Sequence, residues 1–175
     1  MWTVALLVLV IFTPHLYAAE VIEGTVSRVV DGDTVWVKIE QGTELQVRLL
    51  GIDAPEVSHP IKGGGMTPDQ PYGSEAQRIL AALILNQPVS VQVYRRDRRG
   101  HILGVISYGA ANINLWLVHS GLAWYTRGGP NLAPLDLQRA LKTAETEARQ
   151  ARRGLWTDPK PDPPWRFRRW MGLEQ

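Results

Sequence analysis

Acidic residues crowd two short stretches of this chain, Asp31-Gly32-Asp33 and Asp53-Ala54-Pro55-Glu56, and Arg48 lies just before the second. Whether they act together depends on how the chain between them folds. Thr34 to Ile39 alternates, with Val35, Val37 and Ile39 on one face. Gln41-Gly42-Thr43 supplies a turn, and Leu45 to Ile52 returns with Leu45, Val47 and Leu49 opposite Gln46, Arg48 and Leu50. This is a hairpin. With residue 39 facing residue 45, position 33 falls opposite position 51, and Asp33 and Asp53 meet at the open end. The chain has no cysteine. That excludes disulfides, cysteine-ligated zinc and a thiol nucleophile, so a metal here must take oxygen or imidazole ligands.

The arginines cluster: Arg95, Arg96, Arg98 and Arg99, then Arg149, Arg152 and Arg153, then Arg166, Arg168 and Arg169. A solvated surface and a nucleic-acid footprint both fit such clusters. The net charge of +2 permits a polyanionic partner without requiring one.

The elements that must position these groups fit one domain. The 175 residues are 45% hydrophobic and 21% charged, which suits a folded core and argues against wholesale disorder. Val21 to Val30 reads as a strand, and so do Val89 to Val93 and Ile102 to Tyr108, joined by a basic turn from Arg95 to His101. Glu56 to Tyr72 is loop, broken by glycines and prolines. A helix follows, with Ser74 and Gln77 at capping-box spacing and Ala76, Ile79, Leu80, Leu83 and Ile84 forming its apolar stripe. Ile113 to Ser120 reads as a short helix, and the recurrence of Leu137, Leu141, Ala144, Ala148, Ala151 and Leu155 as a long one. The expected fold class is α+β: a five-stranded OB-type barrel with about three packed helices, over residues 20–157.

Two terminal segments stand apart. Val4 to Phe12 is a continuous apolar run too short to span a bilayer, followed by small residues at Ala18 and Ala19. It reads as a signal peptide over residues 1–19, cleaved on export to the periplasm or medium; an uncleaved membrane anchor is the alternative. The tail, residues 158–175, carries Pro159, Pro161, Pro163 and Pro164, which argue against a helix there. Its basic and aromatic end, Trp165 to Trp170, suits either docking on the domain or contact with nucleic acid.

Val29-Val30-Asp31-Gly32-Asp33-Thr34-Val35 is followed at hairpin distance by Val47-Arg48-Leu49-Leu50-Gly51-Ile52-Asp53-Ala54-Pro55-Glu56. This pair resembles the signature of the staphylococcal nuclease family. The likeness continues through His59-Pro60, Tyr72-Gly73-Ser74-Glu75-Ala76, Gly121-Leu122-Ala123 and Gly154-Leu155-Trp156. The resemblance implies an OB-barrel nuclease with one calcium ion, acting on DNA, RNA or both in single-stranded or frayed form. By position, Asp33 and Asp53 would be carboxylate ligands and Ala54, where the family has threonine, a backbone-carbonyl ligand. Glu56 matches the glutamate that positions or activates the attacking water, Arg48 a phosphate-binding arginine, and Asp31 an acidic neighbour of the metal.

One position departs from that pattern. The family's second active-site arginine, just after a glycine before the last barrel strand, aligns with His101 after Gly100. Three readings stay open. His101, with an unperturbed pKa of about 6.5, could bind phosphate or protonate the leaving oxygen. Arg98 or Arg99 could fill the space. Or the chain is a weakened enzyme, an OB module that binds nucleic acid or protein without efficient cleavage. Tyr72 and Tyr125 are candidates for stacking on a base, or else core residues. A monomer without stable membrane association is expected once the leader is removed.

Overall fold

The computed structural model describes residues 20–60, 64–97, 100–128 and 132–173. The expected leader, Arg98 and Arg99 lie outside the described residues. Strands β1 (Val21–Val29), β2 (Thr34–Lys38) and β3 (Glu44–Leu49) form an antiparallel meander. A short β4 (Ile52–Asp53) and helix α1 (Gly73–Ile84) follow, then β5 (Pro88–Arg96), β6 (Ile102–Tyr108) and β7 (Ala111–Asn112). Helix α2 (Ile113–His119), β8 (Trp124–Tyr125), α3 (Leu135–Gln150) and α4 (Pro164–Trp170) complete the order. β1 pairs with both β2 and β5, β5 with β6, and a parallel pairing of β6 with β3 closes a five-stranded barrel. The α+β barrel is thus as expected.

The core follows the alternation. Val35 and Val37 from β2, Val47 and Leu49 from β3, Val91 from β5, and Ile102 and Ile106 from β6 are fully buried with Val26. The α1 stripe joins them through Ala76, Leu80 and Ile84. The hairpin register differs from expectation: Lys38 pairs with Glu44 and Thr34 with Arg48, two residues from the 39–45 alignment. Side chains in a strand repeat every second residue, so a two-residue offset leaves each face intact.

Other boundaries move for identifiable reasons. The returning strand stops at Leu49 because Gly51 is left-handed, with φ +80°, and turns the chain into β4. A Cβ on Gly51 would lie 2.7 Å from Leu141 Cδ1, so the turn also needs the missing side chain. The expected capping box is absent. Tyr72 precedes α1, Ser74 Oγ donates to Asp69 Oδ2 (2.6 Å), and Gln77 Nε2 donates to the Val30 carbonyl (2.8 Å). The long helix ends at Gln150, where Arg152 (φ 50°) and Gly154 (φ 50°) break it, and Leu155 packs from the 3-10 turn Gly154–Thr157.

The tail holds the largest correction, since α4 is a fourth helix in a segment expected to exclude one. Pro164 occupies its first turn, where a missing N–H breaks no intrahelical bond. Pro164 and Phe167 are buried, the Trp165 ring meets Trp124 edge-on with centroids 5.6 Å apart, and Gln70 Nε2 donates to the Asp162 carbonyl (2.6 Å). The tail therefore docks on the barrel. Among the described residues, no helix is long and apolar enough to cross a membrane.

Candidate active site

The turn between β1 and β2 is wound around its own acids. Asp33 N–H donates to Asp31 Oδ1 (2.9 Å), and Thr34 Oγ1 donates to Asp33 Oδ1 (2.8 Å). Asp33 Oδ2 accepts from the Ala54 N–H (3.0 Å), which stitches this turn to the end of β4. Gly32 permits that approach: a Cβ there would fall 2.6 Å from Ala54 Cβ and 2.8 Å from Ala76 Cβ. Asp53 reaches the same place because β4 pairs with β8, Asp53 against Trp124. Both aspartates are almost fully buried, at 4% and 3% exposure.

Arg48, on β3 opposite Thr34, extends over both. Its Nη2 lies 3.2 Å from Asp53 Oδ1 and 3.7 Å from Asp33 Oδ2. Glu56 is aimed by its backbone. Its N–H donates to Gln70 Oε1 (3.1 Å), and its carbonyl accepts from Gln70 N–H (2.9 Å). Gly73 sits so close that a Cβ would fall 2.1 Å from that carbonyl oxygen. Asp31, Asp33, Arg48, Asp53, Ala54 and Glu56 all line one cleft of about 1260 Å³, with His101 and Tyr125 in its wall. The arrangement pairs buried carboxylates with a half-exposed guanidinium, which suits an anionic ligand neutralised from two sides.

Residues 46–158 match the family described as staphylococcal nuclease homologues. Similar proteins extend the match over almost the whole chain. One, named an uncharacterized endonuclease, from Escherichia coli, is 36% identical over 163 residues, spanning 93% of this chain and 94% of its own. A micrococcal nuclease of Shigella flexneri is 37% identical over 155 residues, covering 83% and 80%. The chain belongs to the staphylococcal nuclease family. It is a nuclease.

The nuclease's carboxylates crowd one another. Burial is the main cause of a strong rise in the Asp31 pKa, with the charge of Asp33 adding to it. Burial also raises Asp53, against the pull of its hydrogen bonds from Arg168. The charge of Asp33 pushes Arg48 further above its ordinary value, so that guanidinium stays charged. Among the described residues, no three or more His, Asp or Glu side chains gather as a complete metal cage. Two carboxylates with a carbonyl would leave water to complete the about six to eight ligands that calcium takes. The donors nevertheless fit a hard cation: all are oxygens, and the carboxylates of Asp31, Asp33, Asp53 and Glu56 outnumber the guanidiniums that touch them.

One of those guanidiniums escaped sequence reasoning. Arg168, on α4, donates from Nη1 to Asp53 Oδ1 (3.0 Å) and from Nη2 to Asp53 Oδ2 (2.7 Å), and Nη1 also reaches Glu56 Oε1 (2.5 Å). Burial works against its charge, but the bonds to Asp53 and then Glu56 outweigh that and push its pKa above an ordinary arginine's. The only available signal was the basic, aromatic character of the tail. The other candidates scatter. His101 Nδ1 is held by Asp97 Oδ2 (2.8 Å). Tyr125 is buried, and its hydroxyl donates to Gln138 Oε1 (3.2 Å). Tyr72 does not line the cleft; it packs beside Trp124 and Trp156, its hydroxyl 3.0 Å from Thr157 Oγ1.

Proposed function

We propose that this nuclease hydrolyses phosphodiester bonds in DNA, RNA or both with one calcium ion held by Asp33, Asp53 and the Ala54 carbonyl. When bound, calcium supplies positive charge against the non-bridging phosphate oxygens, most strongly as the transition state forms. Arg48 grips those oxygens from the β3 side, where its planar fork can hold two at once. Glu56 accepts a proton from a water molecule whose oxygen bonds to phosphorus. The bond from phosphorus to the leaving sugar oxygen breaks, and that oxygen takes up a proton. His101 is the candidate donor, since Asp97 occupies Nδ1 and leaves Nε2 for the cleft.

The observation that supports this reading is the convergence of Asp33, Arg48, Asp53 and Glu56 in one open cleft. The substrate in this reading is flexible, single-stranded or frayed nucleic acid, taken by a monomer. The domain reading is residues 20–157 with the tail 158–175 attached, and the apolar run Val4 to Phe12 before Ala18 and Ala19 supports export. Asp33→Ala and Glu56→Ala test the assignment through cleavage of a single-stranded oligonucleotide in calcium or in chelator. The expected result is calcium-dependent cutting by the wild type and a loss of at least about 10²-fold in either folded variant. Unchanged cutting would sink the site assignment. A wild type that binds the oligonucleotide but never cuts it would favour a binding module.

A further inference from the structure

We propose that Arg168 is a catalytic residue: the C-terminal helix supplies a second phosphate-gripping guanidinium, stored on Asp53 and Glu56 until a cation and the substrate take its place. This rests on the calcium-nuclease reading above. Arg48 and Arg168 approach from different elements, one on β3 and one on α4, yet both reach the same atom, Asp53 Oδ1, at 3.2 and 3.0 Å. A phosphodiester presents two anionic oxygens much as a carboxylate does, and a pair of guanidiniums flanking one such anion is suited to flank the other. The remaining described arginines in the cleft wall are turned to other tasks. Arg127 and Arg149 pair with Glu145 (3.2 and 3.5 Å), and Arg149 stacks over Trp156 (3.8 Å).

The mounting of Arg168 supports this use. Buried Phe167, buried Pro164 and the Trp165–Trp124 contact hold α4 to the barrel without Arg168. The guanidinium can therefore change partners while its helix stays docked. Its side chain is 26% exposed, so it opens on the cleft and is not sealed beneath it. In its present position it occupies both oxygens of Asp53 and one of Glu56, and so competes with a cation for the first and with water for the second. Once Asp53 turns to a cation, Arg168 keeps Glu56 on Nη1 and loses the partner of Nη2, which is left to take a phosphate oxygen. Binding of the cation and arming of the arginine are thereby coupled through one carboxylate.

The test compares the full-length wild type with Arg168→Ala and Arg168→Lys. Calcium binding without nucleic acid is measured calorimetrically, and single-turnover cleavage of a single-stranded DNA oligonucleotide at saturating calcium. Removing the competing guanidinium is expected to tighten calcium binding by about tenfold in Arg168→Ala, while cleavage falls by about 10²–10³-fold. The lysine variant should cleave at an intermediate rate, since it keeps charge but not the planar fork. A variant that binds calcium more tightly and cuts as fast as the wild type, or faster, would make Arg168 a plug and overturn the proposal. So would unchanged calcium affinity in both variants. If the wild type itself never cuts in calcium, the parent reading fails and the catalytic role with it; the calorimetry would still report whether Arg168 contends for Asp53.

Discussion

Asn114 is fully buried, yet each of its polar atoms is used. Its Nδ2 donates to the carbonyls of Leu50 (3.0 Å) and Gly104 (3.1 Å), and its Oδ1 accepts from Ile106 N–H (3.0 Å). It thus ties α2 to the end of β3, just before the turn that delivers Asp53. Asn114→Ala would leave the Ile106 N–H and the Leu50 carbonyl without that partner. The expected cost is about 3 kcal/mol, read from urea unfolding. Asp31 acts in the opposite sense, because burial beside Asp33 makes its charge unfavourable. Its folded pKa lies well above the unfolded value of 3.8, so the folded state takes up the proton first as pH falls. Its charge therefore costs stability above the folded pKa, and the cost disappears as pH drops toward 3.8. Asp31→Asn should be more stable than wild type at neutral pH without metal. Thermal melts from pH 7 down to about 4 should show that advantage shrinking to nothing.

At the scale of elements, the site depends on how closely backbones approach. Helix α1 begins at Gly73, against the Glu56 carbonyl, and no side chain fits between them. Gly73→Ala must displace the loop that aims Glu56, the helix start, or both. A displacement of about 1 Å at a reacting group costs up to about 10²-fold in rate. Gly73→Ala is therefore expected to lower kcat by about that factor while the barrel still folds, with circular dichroism as the control. An alanine variant with wild-type kcat would mean that the aim of Glu56 does not depend on this contact. The β4–β8 pair is the other positioning device. Glu145, buried on α3, accepts from the Tyr125 N–H (3.3 Å), so the strand beside Asp53 is fixed from the helix behind it.

Across the whole molecule, the candidate cleft is built from the β1–β2 turn, β3, β4, the loop into α1 and a tail helix, so a cation bound there should stabilise all of it together. At calcium about 100-fold above its Kd, stabilisation of about 2.7 kcal/mol is expected, a rise of about 5–10 °C in Tm that chelator reverses. No shift under those conditions would argue against a calcium site. Much of this was legible in the sequence, for reasons local to it. Strand alternation is set by neighbouring residues, so the barrel strands and the hairpin carrying Asp33, Arg48 and Asp53 could be read directly. A two-residue register error did not disturb the faces. The acidic stretches carried the family likeness, and with it the candidate carboxylates and Glu56. What the tertiary structure alone decided were contacts between segments with no shared periodicity. The clamp of Gly73 on Glu56 was one. The engagement of His101 by Asp97 was another, depending on how a turn closes. The arrival of Arg168 at Asp53 was the largest, because a short helix begun on proline had to dock through Phe167 and Trp165 on a surface that exists only once the barrel has formed. Local pattern determines which face a side chain takes; only the packed whole determines what it meets there.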